Sequence, residues 1–289
     1  MQSRKDANAT SANGSSSALM RWTSPRTQLR GHPKAWVAAF LAWAAGFVDV
    51  AVWLALYHVY ASHMTGNTAS FAHELVQGNW SVAFRYGWVI VPFVGGSLYS
   101  AATTKAARRR GFHASFSIAL ITEVLLLGAF IALGSRYVDK AQLKPPAGAI
   151  EYLLLSMPVA AMGVQTVTVT NINGLRVYTT YLTGSLSKFS EAVADYLFWL
   201  RDRTHGRFTS RLGKVLAVSP RRRSFQHAIL TAGLWIGFFF GAMCGALTEP
   251  RFKLFSLFAP MAILIAAVIV DLTWPVAAAD EPQAEQSAH

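Results

Sequence analysis

Two stretches of this sequence resemble each other: VYASHMTGNTASF at residues 59–71 and VYTTYLTGSLSKF at residues 177–189. Val, Tyr, Thr, Gly and Phe coincide when the chain is shifted by 118 residues against itself. Each stretch follows a long apolar segment. The same Thr-Gly turn, written twice in the same context, predicts an internal repeat.

The similarity continues on both sides of the two turns. Upstream, Ala45-Gly46 matches Met162-Gly163 if one residue is inserted. Downstream, residues 87–96 match residues 233–242 at Gly, Ile, Phe and Gly. The matches are individually weak, but they occur in the same order along the chain, which strengthens the prediction of a repeat.

The composition indicates a membrane protein. Hydrophobic residues make up 53% of the 289 residues and charged residues only 14%, whereas about a quarter of the residues in an average soluble domain are charged. A helix needs about 20 apolar residues to cross a bilayer. Six such windows are found, at residues 35–58, 84–103, 114–134, 152–172, 226–247 and 255–275. They predict an all-α, polytopic bundle of six transmembrane helices.

Three helices in each repeat have a topological consequence. Because three is odd, the second copy begins on the opposite side of the membrane, so repeat one (35–134) and repeat two (152–275) are inverted relative to each other. Inverted repeats are a recurring plan of secondary transporters. Duplication in a membrane protein that transports nothing remains an open alternative.

The basic residues predict the orientation. They concentrate before the first span, after the second, and in a loop at 201–225, whereas the opposite loops hold few. By the positive-inside rule, we expect both termini to lie in the cytoplasm. We also expect the protein to reside in the cell inner membrane. The tails 1–34 and 276–289 are polar and are predicted to be disordered. The net charge of +12 therefore reflects topology and attraction to anionic lipid, rather than binding of nucleic acid.

The two Thr-Gly turns are candidate binding elements. Gly66 and Gly184 are expected to end one helix and start another, with Asn67 and Ser185 as helix caps. A helix N-terminus can hold an anion or a polar substrate group. The alternative is that each turn only ends a transmembrane helix at the interface. The predicted site residues in the turns are Thr65, Gly66, Asn67, Thr183, Gly184 and Ser185.

Three polar residues within predicted spans are further candidate site residues. Asp49 and Glu123 are ionisable groups at membrane depth, which are costly unless they face a partner or water. Both are candidates for a proton or ion path, or for buried structural carboxyls. Gln165 belongs to a polar segment, GVQTVTVTNING, in which we expect a helix that lines a polar cavity and is unwound near Gly163. Polar residues that only hold helices together are the alternative.

Four glycines at four-residue spacing predict a helix-packing surface. They are Gly233, Gly237, Gly241 and Gly245. Other motifs are missing from the sequence. It has one cysteine, and it has no phosphate loop, nucleophile elbow or compelling metal-ligand spacing. We therefore expect no enzyme activity, no cofactor and no metal, and leave open whether the chain forms a homo-oligomer.

The segments GFVDVAVWLALYHVYASHMTGN, AAMGVQ and VYTTYLTGSLSKF resemble hallmark segments of the YoaK-like family of membrane proteins, a family of unknown function. The resemblance covers roughly residues 33–275 and implies an integral membrane protein of about six helices. It brings no substrate or reaction with it. Where that family has an Asn after the Gln, this sequence has Thr166.

Together these features predict an ion-coupled secondary transporter or exporter of a small molecule. In this interpretation Asp49 and Glu123 supply the exchangeable charge for a coupling proton, and Gln165, Asn67 and Ser185 contact the substrate. The alternative is a membrane scaffold or sensor that does not transport, with the basic loop 201–225 binding a partner or anionic lipid.

Overall fold

Helices form most of the described part of the chain in the computed structural model. It describes residues 31–111, 116–137, 148–168, 171–172, 175–176, 180, 182–204, 219 and 222–273. The helices in these ranges are α1 (Gly31–Ala55), α2 (Met64–Val76), α3 (Trp80–Trp88), α4 (Ile90–Arg109), α5 (Ser117–Tyr137), α6 (Ala149–Thr168), α7 (Leu182–Thr204), α8 (Arg223–Phe252) and α9 (Phe258–Thr273). A 3-10 turn, Lys253–Leu257, joins α8 to α9. Two short strands, β1 (Asn171–Ile172) and β2 (Leu175–Arg176), pair antiparallel.

Within the described ranges, four helical stretches are long and apolar enough to cross a membrane. They are Ala35–Ala55, Ser117–Tyr137, Ala149–Thr168 and a stretch of 51 residues, Arg223–Thr273. The first three correspond to predicted spans at 35–58, 114–134 and 152–172. The fourth contains both remaining predicted spans, 226–247 and 255–275. It is divided into two helices near Lys253, where φ is 53°.

The predicted span at 84–103 is not among these four stretches. The chain there forms two helices, α3 and α4, separated by Val89. Pro92 explains the interruption, since proline has no N–H to donate to the carbonyl of Trp88, four residues earlier.

The described chain begins within the predicted N-terminal tail. Helix α1 starts at Gly31, so residues 31–34 belong to the helix, and the assignment of the tail to 1–34 was four residues too long. The remainder of that tail, the tail 276–289 and most of the loop 201–225 lie outside the described residues.

Helix α1 lies in the centre of the bundle, and most of its residues from Ala38 to Val52 are buried, whereas Trp36 and Phe40 are exposed. It runs parallel to α8, and the two backbones nearly touch. An added Cβ would lie 2.8 Å from Ala39 O at Gly237 and 2.7 Å from Phe47 O at Gly245, and at Gly241 it would overlap Trp43 O. Only glycine allows two main chains to approach this closely. Gly233, by contrast, has no atom within 4 Å of an added Cβ.

Helices α3 and α4 lie parallel to α6 along its length. Trp88 Nε1 donates to Ser156 Oγ (2.9 Å) and Ser97 Oγ to Gly163 O (3.0 Å). Further along, Ser100 Oγ and Thr168 Oγ1 are 3.3 Å apart. Because both partners advance together along the sequence, the helices run in the same direction. These polar contacts fix which residues of α4 and α6 lie at the same depth.

Helix α5 packs against α6 and α9 and runs antiparallel to α9. Asp271 Oδ2 of α9 accepts hydrogen bonds from the backbone N–H and from Oγ of Ser117, both at 2.9 Å. At the opposite end of α5, an added Cβ at Gly134 would contact side-chain atoms of Leu254 and Leu154. Asp271 therefore satisfies the first turn of α5 from a neighbouring helix.

The glycines of α8 provide a matched pair of substitutions. Gly241→Ala places a Cβ against the carbonyl of Trp43, so the helices must separate, which costs about 1–3 kcal/mol. Gly233→Ala meets open space, and alanine favours the helix by up to about 1 kcal/mol. We expect Gly241→Ala to lower the thermal unfolding midpoint of the detergent-solubilised protein, followed by tryptophan fluorescence, and Gly233→Ala not to lower it. Equal effects at the two positions would contradict this packing.

Candidate functional site

The chain turns back after α1 through a short segment, residues 56–63. Tyr57 and His58 both have positive φ, 51° and 57°, a backbone conformation that is uncommon for residues other than glycine. Asn67, which is fully buried, holds this segment by two hydrogen bonds. Its Oδ1 accepts from Tyr60 N at 3.2 Å, and its Nδ2 donates to Tyr60 O at 2.7 Å. Asn67 thus supports the return segment.

Asp49 of α1 holds the same segment. Its Oδ1 accepts a 2.7 Å hydrogen bond from Ser62 N, and the side chain is 3% exposed. A buried carboxyl that accepts a main-chain N–H is a structural partner of that loop as well as an ionisable group. Asp49 and Asn67 are therefore brought together around residues 60–62.

The second turn resembles the first in burial. Thr65 and Thr183 are exposed, Gly66 and Gly184 are partly covered, and Asn67 and Ser185 are buried. In each case the glycine is the third residue of the helix that follows, α2 or α7. The prediction that these glycines separate two helices, with Asn67 and Ser185 as caps, was wrong. Helix α2 has His63 at its N-cap, with no side-chain capping bond.

The second turn is tied to α6. Thr166 Oγ1 and Thr180 Oγ1 are 2.7 Å apart. Helix α6 continues as a regular helix through Gly163 to Thr168, so the expected unwinding near Gly163 was also wrong. This glycine instead gives room for the carbonyl of Phe93 of α4, which an added Cβ would overlap. The short strand β1, Asn171–Ile172, lies beyond the end of this helix.

Gln165 links α6 to α1. Its Nε2 donates to Leu41 O at 2.8 Å, and its side chain is 1% exposed. The other end of the amide, Oε1, is buried and has no hydrogen-bond partner among the described residues. The orientation of the amide follows from its partner, because a carbonyl can only accept.

Glu123 of α5 is fully buried. Neither Oε1 nor Oε2 has a hydrogen-bond partner among the described residues. A carboxyl group in this position is costly, since an unpaired charge or an unsatisfied polar group in a low-dielectric interior is destabilising. Among the predicted site residues, Glu123 is therefore the carboxyl whose burial is not offset by a hydrogen bond to a described residue.

Two independent contacts place Glu123 at the depth of Gln165. Gly134, near the end of α5, lies beside Leu154, near the start of α6. Because the end of one helix meets the start of the next, α5 and α6 run in opposite directions. Glu123 lies eleven residues before Gly134, and Gln165 lies eleven residues after Leu154. Eleven residues are about three helical turns, or about 17 Å. Both side chains thus return to the facing sides at the same depth.

The second contact comes from α4. Tyr99 Oη and Thr122 Oγ1 are 3.1 Å apart, and the bonds of Ser97 and Ser100 to α6 place Tyr99 between the depths of Gly163 and Thr168. Thr122, and hence its neighbour Glu123, therefore lies at the depth of residues 165–166.

The predicted site residues fall into two groups. Asp49 and Asn67 surround the first return segment, with Thr65 and Gly66 next to it. Glu123 and Gln165 lie at the depth of Thr166, which holds the second turn and its Thr183, Gly184 and Ser185. Asp49 is eight residues, about 12 Å, along α1 from the Gln165 partner Leu41. The residues thus do not converge on one point.

Sequence reasoning missed one charged pair. Arg85 of α3 and Glu151 of α6 form a salt bridge, and the Arg85 guanidinium also lies 4.4 Å from the centre of the Tyr57 ring. This cluster ties the return segment to α3 and α6. Isolated charges beside two apolar helices were the available indication, but the sequence does not tell which charges pair. No group of three or more His, Cys, Asp or Glu residues suited to a metal occurs within the described ranges.

Apolar helices that expose large hydrophobic side chains outward and bury their polar contacts define this chain as a polytopic helical membrane protein. It belongs to the family described as protein of unknown function (DUF1275), whose model matches residues 37–270. This confirms the resemblance to the YoaK-like family. A curated relative, UPF0700 transmembrane protein YoaK of Bacillus subtilis (strain 168), is 23% identical over 226 residues, which cover 78% of this chain and 88% of the relative. No solved structure matches the chain.

The contacts of Asn67 generate a prediction for this region. Asn67→Ala removes two hydrogen bonds and leaves the buried main chain of Tyr60 without partners, at a cost of about 2 kcal/mol or more. We expect the thermal unfolding midpoint to fall by on the order of 4 °C or more. The matched control is Thr65→Ala in the same turn, whose exposed side chain should contribute within about 0.5 kcal/mol. A midpoint for Asn67→Ala equal to that of the control would show that the pair does not support the loop.

Proposed function

We propose that the chain is an ion-coupled secondary transporter or exporter of a small molecule, built from two inverted three-helix repeats. Helices α1 to α5 form repeat one and α6 to α9 form repeat two, with both termini in the cytoplasm. The observation that carries the proposal is the reciprocal packing of the helices. The substrate is not identified by any residue described above.

The proposal is supported by which helices contact each other, because these contacts correspond when the proposed repeats are exchanged. The exchange turns α1 into α6, the α3–α4 unit into α8 and α5 into α9. It turns the α1–α8 contact into the α4–α6 contact, and the α5–α6 contact into the α1–α9 contact. In the same way α2–α3 becomes α7–α8, and α5–α9 becomes itself. Two copies of one unit related by an axis in the membrane plane account for this reciprocity.

Individual glycine contacts obey the same exchange. Four of the main-chain contacts form two corresponding pairs: Gly46 with Phe238 corresponds to Gly163 with Phe93, and Gly241 with Trp43 corresponds to Gly96 with Ala160. Adding 117 converts the α1 residues into those of α6, and adding 145 converts the α4 residues into those of α8. The sequence alignment of residues 87–96 with 233–242 is therefore displaced by one residue from the correspondence that these contacts give.

This arrangement leaves two tightly packed pairs, α1–α8 and α4–α6, each with one helix from either repeat. A transporter with inverted repeats moves by rocking one such unit against the other. The hydrogen bond from Gln165 to Leu41 lies between the two pairs. It is placed where such a movement would make and break contacts.

The contacts refine the expected roles of the site residues. Asn67 uses both ends of its amide on Tyr60, and Asp49 accepts from Ser62, so these two residues support the loop rather than the substrate. Glu123 and the Oε1 atom of Gln165 retain unused acceptors. These acceptors support a path for the coupling ion on the side of the second turn.

A second candidate function is a scaffold or sensor that binds anionic lipid without transport. The observation that favours it is the C-terminal part of α7, where Leu197 and Phe198 are exposed next to the exposed Arg201 and Arg203. An apolar face followed by basic residues is typical of helices that lie at a membrane surface.

Distance measurements between spin labels test the first function against the second. The single cysteine, Cys244, is first replaced by serine, and pairs of cysteines are introduced at exposed positions. Thr65 with Lys253 reports on the end of the bundle where α1 and α8 end. Thr183 with Arg110 reports on the other end. In a transporter coupled to protons, acidification should lengthen one distance and shorten the other.

The scaffold function predicts that neither distance changes. Distances that stay constant, or that change in the same direction, over the full pH range in which the protein remains folded would overturn the transporter proposal. The Asp49→Asn variant serves as a control for folding, because asparagine keeps an Oδ1 atom that can accept the hydrogen bond of Ser62 N.

A further inference from the structure

The unpartnered acceptors of Glu123 and Gln165 lie on two helices, α5 and α6, that pack against each other in the interior of the bundle. Three oxygen atoms, both of Glu123 and Oε1 of Gln165, are buried without a donor among the described residues. The depths set by Gly134 with Leu154, and by Tyr99 with Thr122, bring the two side chains to the same depth on facing sides. Acceptors alone cannot satisfy one another, so a donor or a cation has to be shared between them.

We propose that Glu123 and Gln165 form a proton site in which the Glu123 carboxyl is protonated and its O–H donates a hydrogen bond to Gln165 Oε1. One proton turns one Glu123 oxygen into a donor for Gln165 Oε1 and leaves no net charge in the low-dielectric interior, while the other Glu123 oxygen becomes a neutral carbonyl. A metal cation such as sodium is a poorer occupant, because hard cations take about six oxygen ligands. The hydroxyls of Thr166 and Thr168 nearby are already occupied as donors to main-chain carbonyls at 2.7 Å.

The state of this proton determines what Gln165 can bind. When the proton leaves for water, the remaining carboxylate needs a donor, and Gln165 Nε2 is the donor within the pair. That nitrogen is engaged with Leu41 O at 2.8 Å, so turning the amide toward Glu123 breaks the hydrogen bond to α1. Loss of the proton therefore releases the connection between the α1–α8 and α4–α6 pairs. This consequence rests on the proposed transport function; the proton site itself does not.

Other titratable groups on the helices that pack against α5 are accounted for. On α4, Tyr99 is paired with Thr122, and Lys105 is exposed. On α6, Glu151 is paired with Arg85 near the opposite end of the helix. On α9, Asp271 accepts from Ser117, and Lys253 in the 3-10 turn is exposed. None of them is a hydrogen-bond partner of Glu123 within the described residues.

Infrared difference spectroscopy of the protein in liposomes measures the proton directly, because a protonated carboxyl has a carbonyl stretch well separated from that of a carboxylate. Near neutral pH we expect a protonated-carboxyl band that is lost in Glu123→Gln. The matched control is Glu151→Gln, the same chemical change at a buried carboxyl that has a cationic partner, and it should keep the band. Asp49→Asn identifies any contribution from the other buried carboxyl.

Gln165→Leu provides a second test that does not depend on the folding of Glu123→Gln. Removing the acceptor should shift the carbonyl band to higher frequency, as for a carboxyl without a hydrogen bond. A spectrum of Glu123→Gln that equals the wild type overturns the proton site, and an unmoved band in Gln165→Leu overturns the partner. If the band behaves as expected while the spin-label distances stay constant, the site stands and the transport proposal fails. Opposite distance changes without the band would place the coupling group elsewhere.

Discussion

The close approach of two main chains, α1 on α8 and α4 on α6, is the constraint on which the rest of the bundle depends. Lipid supplies no hydrophobic drive for helices to associate, so contact between them depends on van der Waals packing and on interhelical hydrogen bonds. Glycine allows close van der Waals packing, because carbonyl oxygens of one helix occupy the space that a Cβ would take on the other helix. The position of these contacts sets the depth of every polar side chain on the four helices.

Interhelical hydrogen bonds add specificity to this packing. Ser97, Ser100 and Trp88 bind residues of α6 at three levels, and Asp271 binds the first residue of α5. Asp49 and Asn67 do the same for the chain that follows α1. Single polar atoms of Thr104, Trp199, His227 and Ser256 are also buried without a partner among the described residues, but Glu123 is the carboxyl and Gln165 the amide in that group. A group that contributes nothing to holding helices together, yet costs free energy to bury, is a candidate for function.

Several features of the fold could be predicted from the sequence, because each depends on the composition of a single segment. The apolar windows predicted the membrane class and the approximate positions of the helices. The repeated Thr-Gly turn predicted two segments whose corresponding residues, 65–67 and 183–185, are buried to the same degree. Interruptions within helices were harder. Pro92 divides one predicted span, whereas Pro158 lies within a regular α6, and the sequence alone does not distinguish the two outcomes because neighbouring helices decide them.

The candidate site was predictable only as a set of residue types. The sequence indicates that Asp49, Glu123, Asn67 and Gln165 are polar residues near or within apolar segments, but whether each one finds a partner is a property of the packed bundle. Both carboxyls, Asp49 and Glu123, were candidates for an ion path, but a main-chain N–H of the return segment bonds to Asp49. Glu123 has no hydrogen-bond partner among the described residues.

The two ends of the Gln165 amide give the arrangement its physical interest. One end is bonded to the main chain of α1, and in the proposed proton site the other end accepts a hydrogen bond from the Glu123 carboxyl of α5. The amide nitrogen carries two N–H donors, but it is directed at Leu41, so the amide has to turn about its side-chain torsions to donate to Glu123. In the proposed site, loss of the Glu123 proton therefore alters the contact between the α1–α8 and α4–α6 pairs. Coupling of this kind would require no long-range pathway, because one side chain joins the ionisable group to the contact between the two pairs.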